Sequence, residues 1–274
     1  MPQLHKAALC LCVSLLSAAT VEKPFRCAVI GDTGTGGRAQ FEIAARLSDL
    51  HRASPIDSVL MLGDNLYGGQ KAKDYRAKFE LPYAQLLESG VPFYAVLGNH
   101  DAPGQERYAQ FHMDGRRYYT LAPREGIRLF ALDSSRFDAA QLAWLKEELG
   151  RSKEVWKIAF FHHPIYSSGA RHGSDLALRS QLEPLFVKHG VSVVLSGHDH
   201  FYERLQAQQG VHYFVAGGSA KLRAGNVRRT AMTASAFDRD NSFLMLEIEK
   251  DEVRFRAISR SGQTVDEGSI PRGR

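Results

Sequence analysis

Five strongly apolar runs, each followed at once by a short polar loop, occupy this 274-residue chain as far as residue 200. The runs and loops read FRCAVI then GDTG, DSVLML then GDNLY, PFYAVL then GNHD, WKIAFF then HHP, and VSVVLS then GHDH. A short apolar run bounded by turn residues is typical of a buried β-strand. In an open α/β sheet the loops at the carboxyl ends of strands converge on one crevice, so these polar side chains should meet in space.

Segments of helical periodicity alternate with these runs. We predict helices after Gly37, around residues 79–87, over 138–150, and from about 174 to 189. Asp138 is the candidate N-cap of the third helix, and Gly150 is its expected end.

After His200 the pattern changes to consecutive strand-like runs with tight turns, namely FYERLQ, VHYFVA, SFLMLEIEK, EVRFRAI and TVDEGSI. A mixed first part and a β-rich second part predict an α/β protein in which two packed mixed β-sheets are flanked by helices.

The amino terminus is a separate compositional block. His5 and Lys6 precede the apolar run AALCLCVSLLSAA, and Ser17 and Ala19 supply small residues at positions −3 and −1 of a cleavage site. The run is too short to span a bilayer comfortably. We predict a cleaved signal peptide over residues 1–19, a single domain over 20–274, and a secreted or periplasmic protein with no membrane span after cleavage. An uncleaved anchor or a frayed apolar tail is the alternative.

Cleavage at that point would leave Cys27 as the last of the three cysteines. No intramolecular disulfide could then form. Cys27 lies in the first apolar run, which predicts a buried and unreactive thiol.

The net charge of +5 favours anionic partners, although most basic residues are interspersed with acidic ones. The densest basic cluster is Lys221, Arg223, Arg228 and Arg229, in a glycine-containing stretch over residues 217–229 that we call the basic loop. It is either a solvated loop or a surface that attracts anionic substrates. No nucleic-acid-binding motif accompanies it, so we expect no nucleic acid scaffold.

The loops after the five runs carry two carboxylates, a phenol, an amide and three imidazoles, which is more than one metal ion needs. These residues are Asp32, Asp64, Tyr67, Asn99, His162, His198 and His200. Each motif alone could simply be a polar turn at the end of a strand. Their joint occurrence on strand ends predicts a dinuclear metal site, since two ions about 3.5–4 Å apart can clamp the attacking and leaving oxygens of an in-line displacement.

The order and spacing of these motifs resemble the metallophosphoesterase superfamily. Tyr67, three residues after Asp64, makes the chain similar to the small, tartrate-resistant type of purple acid phosphatase. The resemblance implies an αββα sandwich and two metal ions bridged by Asp64. The implied ligands of the first ion, Fe(III), are Asp32, Asp64, Tyr67 and His200. The implied ligands of the second ion, which is Fe(II), Zn or Mn, are Asp64, Asn99, His162 and His198.

The same resemblance implies two catalytic histidines. His100 matches the family histidine that contacts the substrate phosphate, and the carboxylate of Asp101 could orient it. His172 resembles the histidine that protonates the leaving alcohol, although its spacing differs by about one residue. His163 is expected to lie behind the ligands or to be packed, and Asp199 is not carried over as a ligand.

The resemblance implies a secreted acid phosphatase that hydrolyses small phosphomonoesters by in-line attack of a metal-bound hydroxide. We expect a monomer. The alternative is a phosphodiesterase or nucleotidase with the same dinuclear site, and a more remote one is a non-catalytic binding protein. Thr33 stands where the small mammalian-type enzymes carry tryptophan, and the basic loop is only loosely similar, so substrate preference need not transfer.

Overall fold

Thirteen strands form two sheets within residues 23–273, which are the residues that the computed structural model describes. The predicted signal peptide lies outside the described residues. The strands are β1 (Phe25–Ile30), β2 (Ser58–Met61), β3 (Phe93–Ala95), β4 (Tyr119–Arg124), β5 (Ile127–Ala131), β6 (Trp156–Phe161), β7 (Val193–Ser196), β8 (Tyr202–Leu205), β9 (His212–Ala216), β10 (Thr233–Phe237), β11 (Ser242–Ile248), β12 (Glu252–Ser259) and β13 (Thr264–Pro271).

Both sheets are mixed, and a parallel set in each directs its carboxyl ends to the site. The six-stranded sheet has the order β13-β12-β11-β1-β2-β3, and β1, β2 and β3 are parallel. The seven-stranded sheet has the order β10-β8-β9-β7-β6-β5-β4, with β5, β6, β7 and β9 parallel. The predicted architecture of two packed mixed sheets with flanking helices is confirmed.

Among the described residues there are five α-helices: α1 (Arg38–Ala53), α2 (Ala72–Tyr75), α3 (Ala84–Glu88), α4 (Ala139–Arg151) and α5 (Leu176–His189). The predicted helix around residues 79–87 is broken, because a π-helical turn over Arg76–Glu80 separates α2 from α3. In the described part of the chain, no helix has both the length and the apolar character that crossing a bilayer requires.

The caps of α4 and α5 show how these helices begin and end. Asp138 caps α4 as predicted, because its carboxylate accepts the Gln141 backbone N–H at 2.8 Å. Gly150 does not end the helix, which continues to Arg151 and closes through the Ser152 backbone N–H to Glu148. Gly190, by contrast, ends α5 with a φ of 67° that an L-residue adopts only at a cost.

The main hydrophobic core lies between the sheets, and apolar residues from β1, β2, β6 and β7 are fully buried in it. A second cluster packs α4 and α5 on the outer face of the seven-stranded sheet, with Phe161 and Phe186 among its members. Cys27 is buried in the main core, as predicted, and is the only cysteine within residues 23–273. Burial, followed by the nearby charge of Asp57, raises the pKa of its thiol to about 12, so it is unreactive.

Candidate metal centre

The five polar loops meet at one edge of the paired sheets, as the strand-end rule predicts. Two groups of side chains there have potential ligand atoms that all lie within 4.8 Å of one another. The first group is Asp32, Asp64 and His200. The second is His162, His163 and His198. Tyr67 contacts the first group and Asn99 contacts the second, so the structure brings together all seven residues singled out in the sequence.

Three of these residues have left-handed backbone conformations. The φ angles are 56° at Asp32, 52° at Asp64 and 67° at His198. This region costs free energy for residues with a Cβ, although aspartate and histidine tolerate it better than most. Neighbouring glycines allow the close approach, because a Cβ at Gly98 would lie 2.2 Å from Asp64 Oδ1 and one at Gly197 would lie 2.8 Å from Asp32 Oδ2. The tight turns therefore direct buried carboxylates into the site.

The first group concentrates oxygen atoms around one point. The Tyr67 hydroxyl lies 3.0 Å from Asp32 Oδ1 and 2.8 Å from Asp64 Oδ2. His200 Nε2 lies 3.2 Å from Asp32 Oδ1. Burial raises the pKa of Asp32 to about 8, and burial together with the two carboxylates raises the pKa of Tyr67. A bound cation would relieve both effects, so this donor set fits a hard metal ion.

The second group brings imidazole nitrogens and an amide oxygen close together. His162 Nδ1 lies 2.8 Å from the Leu62 carbonyl, which can only accept, so Nδ1 carries the proton and Nε2 is free. That Nε2 lies 3.0 Å from Asn99 Oδ1 and 3.2 Å from His198 Nδ1. Burial and the neighbouring His162 lower the pKa of His198 to about 2, which keeps its imidazole neutral. Two convergent imidazoles and an amide oxygen, with one ring oriented by a backbone carbonyl, fit a divalent metal ion.

Asp64 faces both groups at once. One carboxylate oxygen, Oδ2, contacts Tyr67, and the other, Oδ1, lies 3.5 Å from His162 Nε2. Oδ1 also accepts the backbone N–H of His100 at 2.9 Å. A carboxylate placed in this way can bridge two ions.

The calcineurin-like phosphoesterase family matches residues 25–202, which is more than half of the chain. The chain belongs to this family. Its sequence is 29% identical over 297 aligned residues to tartrate-resistant acid phosphatase type 5 of Rattus norvegicus, covering 90% of each chain.

Two solved structures share the fold. GAP50, described as the anchor in the inner membrane complex of Plasmodium, has a TM-score of 0.82 at 18% identity, covering 92% of this chain and 90% of its own. The purple acid phosphatase PPD1 of yellow lupin (Lupinus luteus) has a TM-score of 0.73 at 20% identity, covering 90% of this chain and 53% of its own.

In this calcineurin-like phosphoesterase, His100 is exposed beside the first group, with its ring centroid 5.0 Å from that of Tyr67. The prediction that Asp101 orients this imidazole is wrong. The Asp101 carboxylate instead accepts backbone N–H groups from Gly98 at 2.8 Å and from Leu66 at 3.1 Å. Asp101 therefore ties the GNHD loop to the GDNLY loop and sets the spacing between them.

His172 lies over the second group, where its ring centroid is 4.2 Å from that of His198. Asp199 points away from the ligand atoms. Its Oδ2 accepts the Ser167 hydroxyl at 2.6 Å and the Gly173 backbone N–H at 3.2 Å. The carboxylate between the two GHDH histidines therefore anchors the loop that carries His172, and sequence spacing alone did not indicate this role.

His163, which was expected behind the ligands or packed, lies directly beside the second group. Its ring centroid is 4.4 Å from that of His198, and its Nδ1 lies 2.9 Å from the Ser134 hydroxyl. The same hydroxyl oxygen accepts the His163 backbone N–H, so Ser134 holds both the backbone and the ring of His163. The contact with Ser134 places His163 beside the proposed ligands His162 and His198, and the HHP doublet was its signal in the sequence.

Proposed function

We propose that this chain is a dinuclear metal-dependent acid phosphatase that hydrolyses small phosphomonoesters. The observation that carries the proposal is the pair of convergent donor groups that share Asp64. Membership of the calcineurin-like phosphoesterase family and the similarity to tartrate-resistant acid phosphatases support it. We also propose that residues 20–274 act as one exported domain after loss of residues 1–19, which amino-terminal sequencing of the native protein tests.

The proposed ligands divide according to donor chemistry. Asp32, Asp64, Tyr67 and His200 would hold the first ion, Fe(III), because a hard, highly charged ion favours phenolate and carboxylate oxygens. Asp64, Asn99, His162 and His198 would hold the second ion, Fe(II), Zn or Mn. Bound metal ions supply Lewis acidity and activate water.

The surrounding residues would bind the ester, stabilise the charge that develops on it and donate a proton. Hydrolysis adds water to phosphorus and breaks the bond to the leaving oxygen, which keeps the electron pair and takes a proton. His100, exposed beside Tyr67, would donate a hydrogen bond to the phosphoryl oxygens as charge develops. His172, held over His198 by the Asp199-anchored loop, would supply the proton to the leaving oxygen.

The fold alone does not decide between catalysis and a purely structural role, since GAP50 shares it and is described as an anchor. The donor atoms favour catalysis. Two buried carboxylates beside a phenol, and two imidazoles beside an amide oxygen, form a donor set that suits metal ions, and a surface that only binds a partner has no need of it.

Metal analysis combined with two assays tests the proposal. We expect two metal ions per chain and faster hydrolysis of 4-nitrophenyl phosphate than of bis(4-nitrophenyl) phosphate. Chelation should remove the activity, and added metal should restore it. Faster hydrolysis of the diester would favour a phosphodiesterase, and two bound ions without turnover on either substrate would contradict an enzymatic role.

The Tyr67→Phe substitution removes the phenol oxygen but preserves the ring. If Tyr67 binds Fe(III), the oxidised wild-type protein should absorb visible light through phenolate-to-iron charge transfer, and Tyr67→Phe should lose this band. Some activity should remain, because the other ligands are intact. Tyr75→Phe is a matched control that should keep the band, since Tyr75 packs against Tyr108 in the neighbouring aromatic cluster. A colourless oxidised, iron-loaded wild-type protein would contradict the proposed iron–tyrosine bond.

A further inference from the structure

The four cations of the basic loop are not equivalent in the structure. The guanidinium groups of Arg228 and Arg229 are exposed and donate at 2.8 Å to the backbone carbonyls of Gly225 and Ala236, respectively. Lys221 and Arg223 are half-buried. Within residues 23–273, their side chains form neither a hydrogen bond nor an ion pair. These two cations are therefore available to a ligand.

Lys221 is held against the first group of ligands. Its backbone N–H donates to the Asp32 carbonyl at 3.3 Å, and its ammonium nitrogen lies 3.6 Å from the centroid of the Tyr67 ring. A cation over the face of an aromatic ring is attracted by the ring quadrupole, which favours this position. The hydroxyl of the same ring contacts Asp32 and Asp64, so Tyr67 lies between the Lys221 ammonium and the proposed bridging carboxylate of Asp64.

Arg223 is held against the other side of the site. Its backbone N–H donates to the His200 carbonyl at 3.0 Å. The Nη1 atom of Arg223 is buried and has no hydrogen-bond partner among the described residues. A buried charged donor without a partner is costly, and an anionic ligand would satisfy it.

The basic loop is fixed to the loop that carries His172. Gly169 and Val227 form an isolated antiparallel bridge. The Ala170 backbone N–H donates to the Asn226 carbonyl at 2.9 Å, and the Arg228 backbone N–H donates to the Ser168 carbonyl at 2.8 Å. These contacts hold the basic loop beside the loop that carries the proposed proton donor, so its cations border the part of the site that the leaving group of a substrate would enter.

We propose that Lys221 and Arg223 form a second anion subsite, which makes diphosphates better substrates than esters with an uncharged leaving group. This inference rests on the proposed phosphatase function. Water adds to the terminal phosphorus of a diphosphate, and the bond from that phosphorus to the bridging oxygen breaks. The leaving phosphate keeps the electron pair, one proton of the water remains on the product phosphate or passes to the leaving phosphate, and the other is released. Lys221 and Arg223 would neutralise the charge that develops on this leaving phosphate.

The test compares kcat/KM for inorganic pyrophosphate with kcat/KM for 4-nitrophenyl phosphate. We expect Lys221→Gln and Arg223→Gln each to lower the pyrophosphate-to-ester ratio by about tenfold or more, the effect of one lost charge-assisted contact. Lys221→Arg, which keeps the charge, should restore most of the ratio. Arg228→Gln is the matched control, since it removes the same charge from the same loop without approaching the site, and it should leave the ratio unchanged.

Binding provides a second readout. Calorimetric titration of the metal-loaded protein should show that the same two variants weaken inorganic pyrophosphate binding more than inorganic phosphate binding. An unchanged ratio in both assays, or an equal shift in Arg228→Gln, would overturn the subsite. Failure of the wild-type protein to hydrolyse either substrate would overturn the proposed function instead, so the two failures are distinguishable.

Discussion

Asp64→Asn will abolish turnover and sharply lower the metal content of the purified protein. The two oxygens of Asp64 face different donor groups, toward Tyr67 and His162, whereas asparagine offers one neutral oxygen. Loss of the shared carboxylate should weaken the binding of both ions. Transition-state stabilisation of several kcal/mol should be lost with them, so we expect activity to fall by about 10³-fold or more. Elemental analysis and a phosphatase assay on the same preparation measure both effects.

Asp199→Asn is the matched control for that experiment. Asp199 is as buried as Asp64 and lies between two proposed ligands. Its carboxylate, however, accepts hydrogen bonds from the Ser167 hydroxyl and the Gly173 backbone N–H instead of facing the ligand atoms. The asparagine oxygen can still accept these bonds, so we expect two metal ions in this variant. Near wild-type activity with two bound ions in Asp64→Asn would exclude the bridging role.

His100 and His172 should differ in their response to the leaving group. An aryl phosphate with an acidic phenol departs without a proton, whereas an alkyl phosphate needs one. We expect His172→Ala to impair alkyl phosphates much more than 4-nitrophenyl phosphate. His100→Ala should impair both by about 10²–10³-fold, as for a lost donor to a developing oxyanion. Both variants should retain two metal ions, and His189→Ala, at the end of α5, serves as the control histidine.

Equal losses on the two substrates in His172→Ala would rule out the proton-donor role. Solvent would then be the remaining acid. Single-turnover measurements with the alkyl phosphate keep product release from masking the difference.

Much of the fold and of the candidate site was predictable because strand ends carry strong local signals. The apolar runs before Asp32, Asp64 and His198 are short and bounded by turn residues, which predicts buried β-strands. Parallel pairing of strands then brings their loops together. Strands β4, β5 and β10 were missed. β10, TASAF, is half-buried along its whole length at the edge of its sheet, so it shows neither an apolar run nor clear alternation.

Side-chain partners across loops were not predictable. Asp101 adjoins His100 in the sequence, yet its carboxylate binds the backbone of another loop, because buried N–H groups there need an acceptor. The four cations of the basic loop were likewise equivalent in the sequence. Only the packing of this loop on Tyr67 and on the His172 loop separates Lys221 and Arg223 from Arg228 and Arg229.

The left-handed conformations of Asp32, Asp64 and His198 have a consequence for thermal stability. Each costs backbone free energy that glycine would avoid, and two of these residues also place carboxyl groups close together in a buried site. Ions that bind only the folded chain would offset this cost by mass action. The melting temperature should therefore rise steeply as the site fills, which makes heat resistance a direct gauge of how completely a preparation of this protein is loaded with metal.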